Sequence, residues 1–109
     1  MIKFYNNLYV SDSVKNINKI KWKIRTGRGQ LNIFLIIISN SSDQLECIHN
    51  ALLKQPIYRK LDLKIVGFAT SYDESLLLIQ KILEDVWKKT GNADMKDYLL
   101  RHFSYRSNQ

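Results

Sequence analysis

The chain has 109 residues, of which 45% are hydrophobic and 25% charged, as in an ordinary globular domain; this length holds one core and excludes a cofactor domain joined to a substrate domain. No stretch reaches the roughly 20 apolar residues of a membrane-spanning helix, and MIKFYNNLYV lacks the apolar run and cleavage site of a secretory signal. With Cys47 as the single cysteine, an internal disulfide is excluded and a cytoplasmic location is expected.

The formal net charge of +7 is concentrated in the first part of the chain. Residues 1–60 contain ten cations and three acids, whereas residues 61–109 contain seven of each, and no acid lies between Asp12 and Asp43. A basic segment of this kind favours an anionic partner such as nucleic acid, a lipid headgroup or an acidic protein. A composition rich in Lys, Ile and Asn is also what an AT-rich genome produces, so the same cations fit a solvated face.

The first two elements each allow two structures. IKFY and LYV, on either side of Asn6-Asn7, fit a hairpin or one irregular strand. In KIKWKIRTGRGQ, residues 19–30, a strand places Ile20, Trp22 and Ile24 on one face. A helix over residues 13–26 instead places four apolar residues on one stripe: Val14, Ile17, Ile20 and Ile24. The residues opposite this stripe would then be Lys15, Lys19, Lys23 and Trp22.

The helical interpretation of residues 13–26 is favoured, because it explains two more apolar positions than the strand does. It also has ends: Ser11 or Asp12 serves as N-cap, and Gly27 takes the left-handed cap. Lys23 and Arg25 then lie near the negative end of the helix dipole.

The most clearly marked strand covers residues 31–39, LNIFLIIIS, a nearly continuous apolar run that indicates a central strand covered on both faces. A capping box at residues 41–44, SSDQ, predicts a helix over residues 43–54. Its inner stripe would consist of Leu45, Ile48, His49 and Leu52.

The pattern repeats with a buried strand over residues 63–69 and a second capping box at Ser71 to Glu74. The helix over residues 72–90 has an inner face made of Leu76, Ile79, Ile82, Leu83, Val86 and Trp87, and Gly91 ends it. Asp94 caps a short last helix. Strand, helix, strand, helix predicts a small α/β domain with the strands at 31–39 and 63–69 parallel in a βαβ arrangement, over residues 1–103, with a flexible tail at 104–109.

Candidate contacts to an anion or a nucleic acid come from the basic segment, with Trp22 as a residue that could stack a base. They are Lys15, Lys19, Lys21, Trp22, Lys23, Arg25 and Arg28. Trp22 could equally cover a neighbouring loop or pack under the N-terminal segment. The arginines in RTGRG could contact phosphate, but a tight turn is the plainer use of this sequence.

Catalytic and metal signatures are not found in the sequence. On the predicted helix, Cys47 and His49 would point to nearly opposite sides and could not form a nucleophile and base. His49 and His102 are the two histidines and no second cysteine is present, so no zinc spacing exists. Asp43, Asp73 and Glu74 occupy the first helical turns where a phosphate would otherwise bind, and are expected to cap. We expect no catalytic residues, cofactor or small-molecule ligand.

Five segments in order resemble a group of short, uncharacterised bacterial proteins of about 100 residues: GQLNIFLIII, SSDQLE, LLKQPIYRK, IVGFATSYDESLLLIQKILEDVWKKTGN and MKDYLL. The similarity covers most of the chain and is clearest in IVGFATSYDESLLLIQKI. The group has no assigned activity, so the resemblance transfers no functional residues. It implies a complete small protein with a self-contained α/β fold.

The leading functional expectation is a non-enzymatic cytoplasmic module that acts through protein contacts or as a homodimer. It depends on the missing chemistry, on a sheet too small to hide its edges, and on Leu77, which falls outside the inner stripe of its helix. The alternative is a nucleic-acid-binding protein that uses the basic segment 15–28. A membrane partner is not expected.

Overall fold

The computed structural model describes residues 2–27, 32–39, 44–60 and 62–107. Four strands and four helices follow in chain order: β1 (Ile2–Val10), α1 (Ile17–Thr26), β2 (Phe34–Ile38), β3 (Leu45–His49), α2 (Pro56–Lys60), β4 (Leu63–Ala69), α3 (Tyr72–Thr90) and α4 (Met95–Ser107), with a 3-10 helix at Asn50–Lys54 before α2. The predicted α/β class with a C-terminal helix is confirmed. The last turn of α4 lies within the segment 104–109 that was expected to be a tail.

The four strands form one mixed sheet in the order β1-β4-β2-β3. The predicted parallel arrangement of the strands within 31–39 and 63–69 is wrong, because β2 and β4 are antiparallel neighbours. The parallel neighbour of β4 is β1, at the edge of the sheet. Strand β2 is followed by the antiparallel strand β3 and not by a crossover helix. The chain has therefore reversed its direction before it reaches β4.

The predicted helix over residues 43–54 is wrong for Leu45–His49, which is a strand, whereas Asn50–Lys54 is a 3-10 helix. Leu45–His49 pairs antiparallel with β2, with Phe34 opposite His49 and Ile38 opposite Leu45. Leu45, Ile48 and Leu52 fit the helical period of 3.6, and the five residues of the strand are too few to show a period of 2. The proposed capping box begins at residues 41–43, which lie outside the described residues.

Residues 2–10 form one irregular strand, β1, and not a hairpin. Phe4 is opposite Ile65 and Tyr9 is opposite Gly67, so β1 has three more residues than β4 between these pairs. Asn6 and Asn7, in this irregular part, are exposed. Beyond the irregular part β1 pairs with β4 again, and there the Tyr9 carbonyl oxygen lies 2.7 Å from the position that a Cβ at Gly67 would occupy. Glycine permits this close approach of two backbones.

Helices cover both faces of the sheet, as expected for the strand within 31–39. On one face α1 packs over a cluster formed by Ile20, Ile24, Ile33, Leu35, Ile37, Ile48, Leu63, Ile65 and Phe68. On the other face α3 and α4 pack over Tyr5, Ile36, Ile38, Val66, Ala69, Leu78, Ile82, Val86, Leu99 and Phe103. Alternate residues of β2 therefore support different helix layers.

Helix α3 has the bounds predicted from the sequence. The Ser71 hydroxyl accepts a hydrogen bond from the Glu74 N–H at 3.2 Å, which is half of the predicted capping box. Gly91 ends the helix with φ of 75° and donates its N–H to the Trp87 carbonyl oxygen at 2.8 Å. These two caps satisfy backbone groups that the helix itself leaves unpaired.

Candidate functional surfaces

The basic segment contains a helix, as the preferred interpretation predicted, but the helix begins later than expected. Helix α1 starts at Ile17, and its N-cap is Asn16 in the left-handed conformation with φ of 58°, with no side-chain cap bond. The predicted N-caps Ser11 and Asp12 lie outside it. Gly27 is the predicted left-handed C-cap, with φ of 67°.

Helix α1 turns Ile20 and Ile24 into the core and Trp22 outward. The indole of Trp22 is 54% exposed, and the four residues one turn away on either side are Asn18, Lys19, Arg25 and Thr26, all of them polar. At about 100° per residue, Trp22 lies at the centre of the outward side of α1. We call Lys19, Trp22 and Arg25 the α1 face.

The other predicted contacts lie around the α1 face. Lys15 precedes the helix and is exposed, whereas Lys21 and Lys23 are half-buried on its flanks, so the expectation that Lys23 lies opposite the core is wrong. Arg28 lies outside the described residues. The structure thus brings the described candidates to one side of the sheet and makes Trp22 their centre.

Two cations are held against the aromatic ring of Phe4 in β1. The Arg25 guanidinium carbon is 4.8 Å and the Lys21 Nζ is 5.6 Å from the ring centroid, which are cation–π distances. Among the residues that the structure describes, ion pairs are formed by Lys64 with Asp62 and by Arg101 with Asp97, and by none of the cations of α1. The positive charge of this helix is therefore not neutralised by those parts of the chain.

A second surface lies on α3 and was not predicted as such. Leu76, Leu83 and Trp87, which were assigned to the inner face, are exposed, whereas Ser75, Leu78, Ile82 and Val86 are the buried residues. Tyr72 is exposed on the same side as the three misassigned residues. We call Tyr72, Leu76, Leu83 and Trp87 the α3 stripe; its positions fall within about 60° of one another around the helix.

The α3 stripe faces the β3 side of the molecule. Its first residue, Tyr72, has its ring 6.3 Å from that of Phe34 in β2, and Phe34 in turn contacts the ring of His49 in β3 at 5.1 Å. Helix α4 lies on the other side of α3, where Lys89 is 5.9 Å from the Tyr98 ring. A signal for the stripe was present in the sequence, because four consecutive apolar residues, 76–79, cannot all face one core.

Hydroxyl groups from the ends of the parallel strands β1 and β4 surround Glu74. Its carboxylate accepts hydrogen bonds from the Ser11 and Ser13 hydroxyls at 3.2 and 2.8 Å, and from the Thr70 hydroxyl and backbone N–H. These bonds, that from Thr70 first, hold the pKa of Glu74 below its ordinary value. Glu74 therefore ties the end of β1 to the start of α3, and its carboxylate occupies the place where a phosphate would bind.

Cys47 and His49 do not form a catalytic pair in this fold. Cys47 and His49 are on one face of β3, not on opposite sides of a helix. The His49 Nδ1 accepts the Ala51 N–H at 3.1 Å, so Nε2 carries the proton and donates to Asn32 Oδ1 at 2.9 Å. Both ring nitrogens are engaged. No group of three or more potential metal ligands occurs within the described ranges.

A cleft of about 370 Å³ lies between β1, α3 and α4, lined among others by Tyr5, Tyr9, Lys81, Lys89 and Tyr98. The Tyr9 hydroxyl donates to Asp85 Oδ2 at 2.8 Å. Burial, together with this bond to Asp85, raises the pKa of Tyr9 above its ordinary value. The phenol stays protonated at neutral pH, so it braces β1 against α3 rather than acting as a base.

No family model, no curated protein and no solved structure matches this chain. Within the described residues, no helix has the length and apolarity needed to span a bilayer. The α1 face and the α3 stripe are therefore the candidate sites of function.

Proposed function

We propose that this protein is a non-enzymatic protein-interaction module and that it forms a homodimer through the α3 stripe. The observation that supports the proposal is the continuous exposed side of α3, on which Leu76 is 45% and Trp87 59% exposed. Single exposed apolar residues are ordinary on protein surfaces. Two leucines and two aromatic residues along one side of one helix form a patch of the kind that protein partners cover.

The spacing of the α3 stripe favours a second copy of this chain as the partner. Tyr72 and Trp87 are equally far along the helix from the midpoint between Ile79 and Gln80, and so are Leu76 and Leu83. Suppose that two copies pack through antiparallel α3 helices, with a two-fold axis passing through this midpoint. Leu76 of one copy then contacts Leu83 of the other, and Tyr72 contacts Trp87. A two-fold interface requires such a self-complementary surface.

The charges of α3 favour the same arrangement. Its first turn contains Asp73 and its last turn contains Lys88, both exposed. Antiparallel helices place the acidic end of one copy beside the basic end of the other, whereas parallel helices would place like charges together. The charges at the two ends of α3 therefore favour the antiparallel orientation, and the centre of the interface is apolar.

Analytical ultracentrifugation over a wide concentration range tests the homodimer. We expect a monomer–dimer equilibrium that is weakened at least ten-fold by Leu76→Glu or Leu83→Glu, because each would bury a carboxylate against an apolar surface. Leu77→Glu is the matched control, since Leu77 is 66% exposed on the same helix but outside the stripe, and it should leave the equilibrium unchanged. Circular dichroism verifies that each variant is folded. A strict monomer at every concentration would refute the homodimer.

Charge reversal tests the antiparallel orientation. Asp73→Lys alone should weaken the dimer, and so should Lys88→Asp alone. Combining the two reversals should restore much of the affinity, because opposite charges then face each other again. If the combination is weaker than either reversal alone while the wild-type chain is a dimer, the homodimer stands and its antiparallel orientation is wrong.

A further inference from the structure

We infer that the α1 face binds single-stranded nucleic acid, with Trp22 stacking on an unpaired base. This inference is independent of the homodimer, because α1 and α3 lie on opposite faces of the sheet. It is more specific than a basic patch, since it depends on where the structure places one aromatic ring among the cations.

The cations of the basic segment have no carboxylate partners among the described residues. Lys15, Lys19 and Arg25 are exposed, Lys21 and Lys23 are half-buried beside them, and in the described part of the chain none of the five forms an ion pair. When these cations neutralise phosphates of a nucleic acid, the counterions of those phosphates are released. This release is the usual driving force for such binding. Arg25 and Lys21 are already positioned by the Phe4 ring, which lowers the entropic cost of ordering them.

The surroundings of Trp22 distinguish nucleic acid from a protein partner. A protein interface normally surrounds an aromatic anchor with other apolar groups that exclude water. The residues one turn from Trp22 are Asn18, Lys19, Arg25 and Thr26, so the exposed ring has cations beside it instead. An aromatic ring flanked by cations is the arrangement with which proteins stack a base and hold its phosphates.

The burial of α1 disfavours a lipid surface. An amphipathic helix binds a bilayer by inserting its apolar side among the acyl chains. In α1 that side is already used, because Ile20 and Ile24 are buried against the sheet. A duplex is disfavoured for a different reason: its bases are already stacked on each other, and Trp22 would have no free base to contact.

The experiment is an anisotropy titration of the full chain with a labelled single strand of about 15 nucleotides, as DNA and as RNA, at several salt concentrations. A duplex of the same length and vesicles containing phosphatidylserine are titrated in parallel. We expect the single strand to bind more tightly than the duplex, with an affinity that falls as salt rises. Trp22→Ala should weaken it roughly ten-fold at every salt concentration, as loss of one stacked base does.

Substitutions on the two helices separate charge from stacking. Lys19→Gln and Arg25→Gln should each lower the slope of log affinity against log salt by about 0.7, the value for one phosphate of a single strand. Lys81→Gln is the matched control: Lys81 is exposed on α3, and its loss should leave the slope unchanged. The change in tryptophan emission on binding should persist in Trp87→Phe and disappear in Trp22→Phe.

Several results would overturn the inference. They are no binding at low salt, equal affinity for single strand and duplex, or an affinity that Trp22→Ala leaves unchanged. Binding to the vesicles without binding to oligonucleotides would assign the cations to a membrane surface instead. The same titration with the Leu76→Glu variant tells the two proposals apart, because a monomer that still binds the single strand supports the α1 face whatever becomes of the dimer.

Discussion

The two tryptophans lie on opposite faces of the sheet and are exposed to nearly the same extent, yet their surroundings differ. One turn before Trp22 lies Lys19 and one turn after it lies Arg25. One turn before Trp87 lies Leu83, itself exposed, and the stripe continues to Leu76. Exposure of a large ring therefore does not identify a partner. The residues one helical turn away decide whether the ring offers a stacking platform or part of an apolar interface.

The two helices also differ in how firmly they are attached to the sheet. Helix α1 has two buried residues, Ile20 and Ile24. Helix α3 is nearly twice as long, has four buried residues, and is tied to β1 through Tyr9 with Asp85 and through Glu74. We expect α3 to unfold with the whole domain and α1 to open more easily.

The largest expected effect comes from a charge placed in the buried cluster between the sheet and the helices α3 and α4. Ile36 is fully buried in the central strand β2, under α3 and α4. Ile36→Asp would bury a carboxylate there, and the cost of about 4 kcal/mol or more is comparable to the whole stability of a small domain. We expect loss of the folded signal in circular dichroism, with Gln80→Asp on the exposed side of α3 as the control. A folded Ile36→Asp would contradict the assigned core.

Truncations on the two helices sharpen the comparison of their attachment. Ile82→Ala in α3 and Ile24→Ala in α1 each remove a buried side chain, and each should cost about 2–5 kcal/mol of the interactions at its own site. For Ile82→Ala the full cost should appear in the urea midpoint of the domain. For Ile24→Ala we expect faster proteolysis and hydrogen exchange within α1 before global unfolding. Equal exchange in both helices would show that the layers open as one unit.

Glycine substitutions compare a crowded site with an open one. Gly67→Ala places a Cβ 2.7 Å from the Tyr9 carbonyl oxygen, so β1 must move away from β4 at a cost of about 1–3 kcal/mol. At Gly27, whose φ is 67°, an added Cβ meets nothing within 4 Å, and Gly27→Ala should cost about 1 kcal/mol from the left-handed conformation alone. Urea unfolding measures both. A smaller effect at Gly67 would mean that β1 is loosely paired.

Glu74 makes the attachment of α3 dependent on pH. Because its pKa is lowered from 4.5 in the folded protein by hydrogen bonds from Thr70 and Ser13, its contribution to stability is present above that pH and is lost as pH falls through the folded pKa. At about pH 6 the urea midpoint of the wild-type chain should be higher than that of the Glu74→Gln variant. The difference between the two midpoints should be smaller at about pH 3. A difference that does not change with pH would exclude the charged form as its source.

The smallest expected effect compares the two tryptophans directly. In Trp87→Phe the remaining Trp22 is surrounded by cations, and in Trp22→Phe the remaining Trp87 has both Glu84 and Lys88 within one turn. Iodide should therefore quench Trp22 more strongly than Trp87, relative to neutral acrylamide, and the difference should fade at high salt. The same ratio for both residues would indicate that the field around α1 is not positive.

Local pattern determined several elements of this protein. The bounds of α3, the buried strand at residues 63–69 and the helix within 13–26 could all be read from apolar spacing, and Ser71 and Gly91 marked the ends of α3. These features depend on contacts within a few residues, namely caps and a one-turn period. The positions of Lys19 and Trp22 on the outward side of α1 followed from the same spacing.

Tertiary structure decided the rest. Leu45–His49 is a strand because it pairs with β2, and a five-residue segment does not show its own period clearly enough to reveal this. The parallel partner of β4 is β1, far away in sequence. Leu76, Leu83 and Trp87 are apolar like their buried neighbours, but α3 touches the sheet along one side and α4 along another. The third side of α3, with these three side chains, is exposed because no described element packs over it. The apolar spacing within α3 does not reveal this.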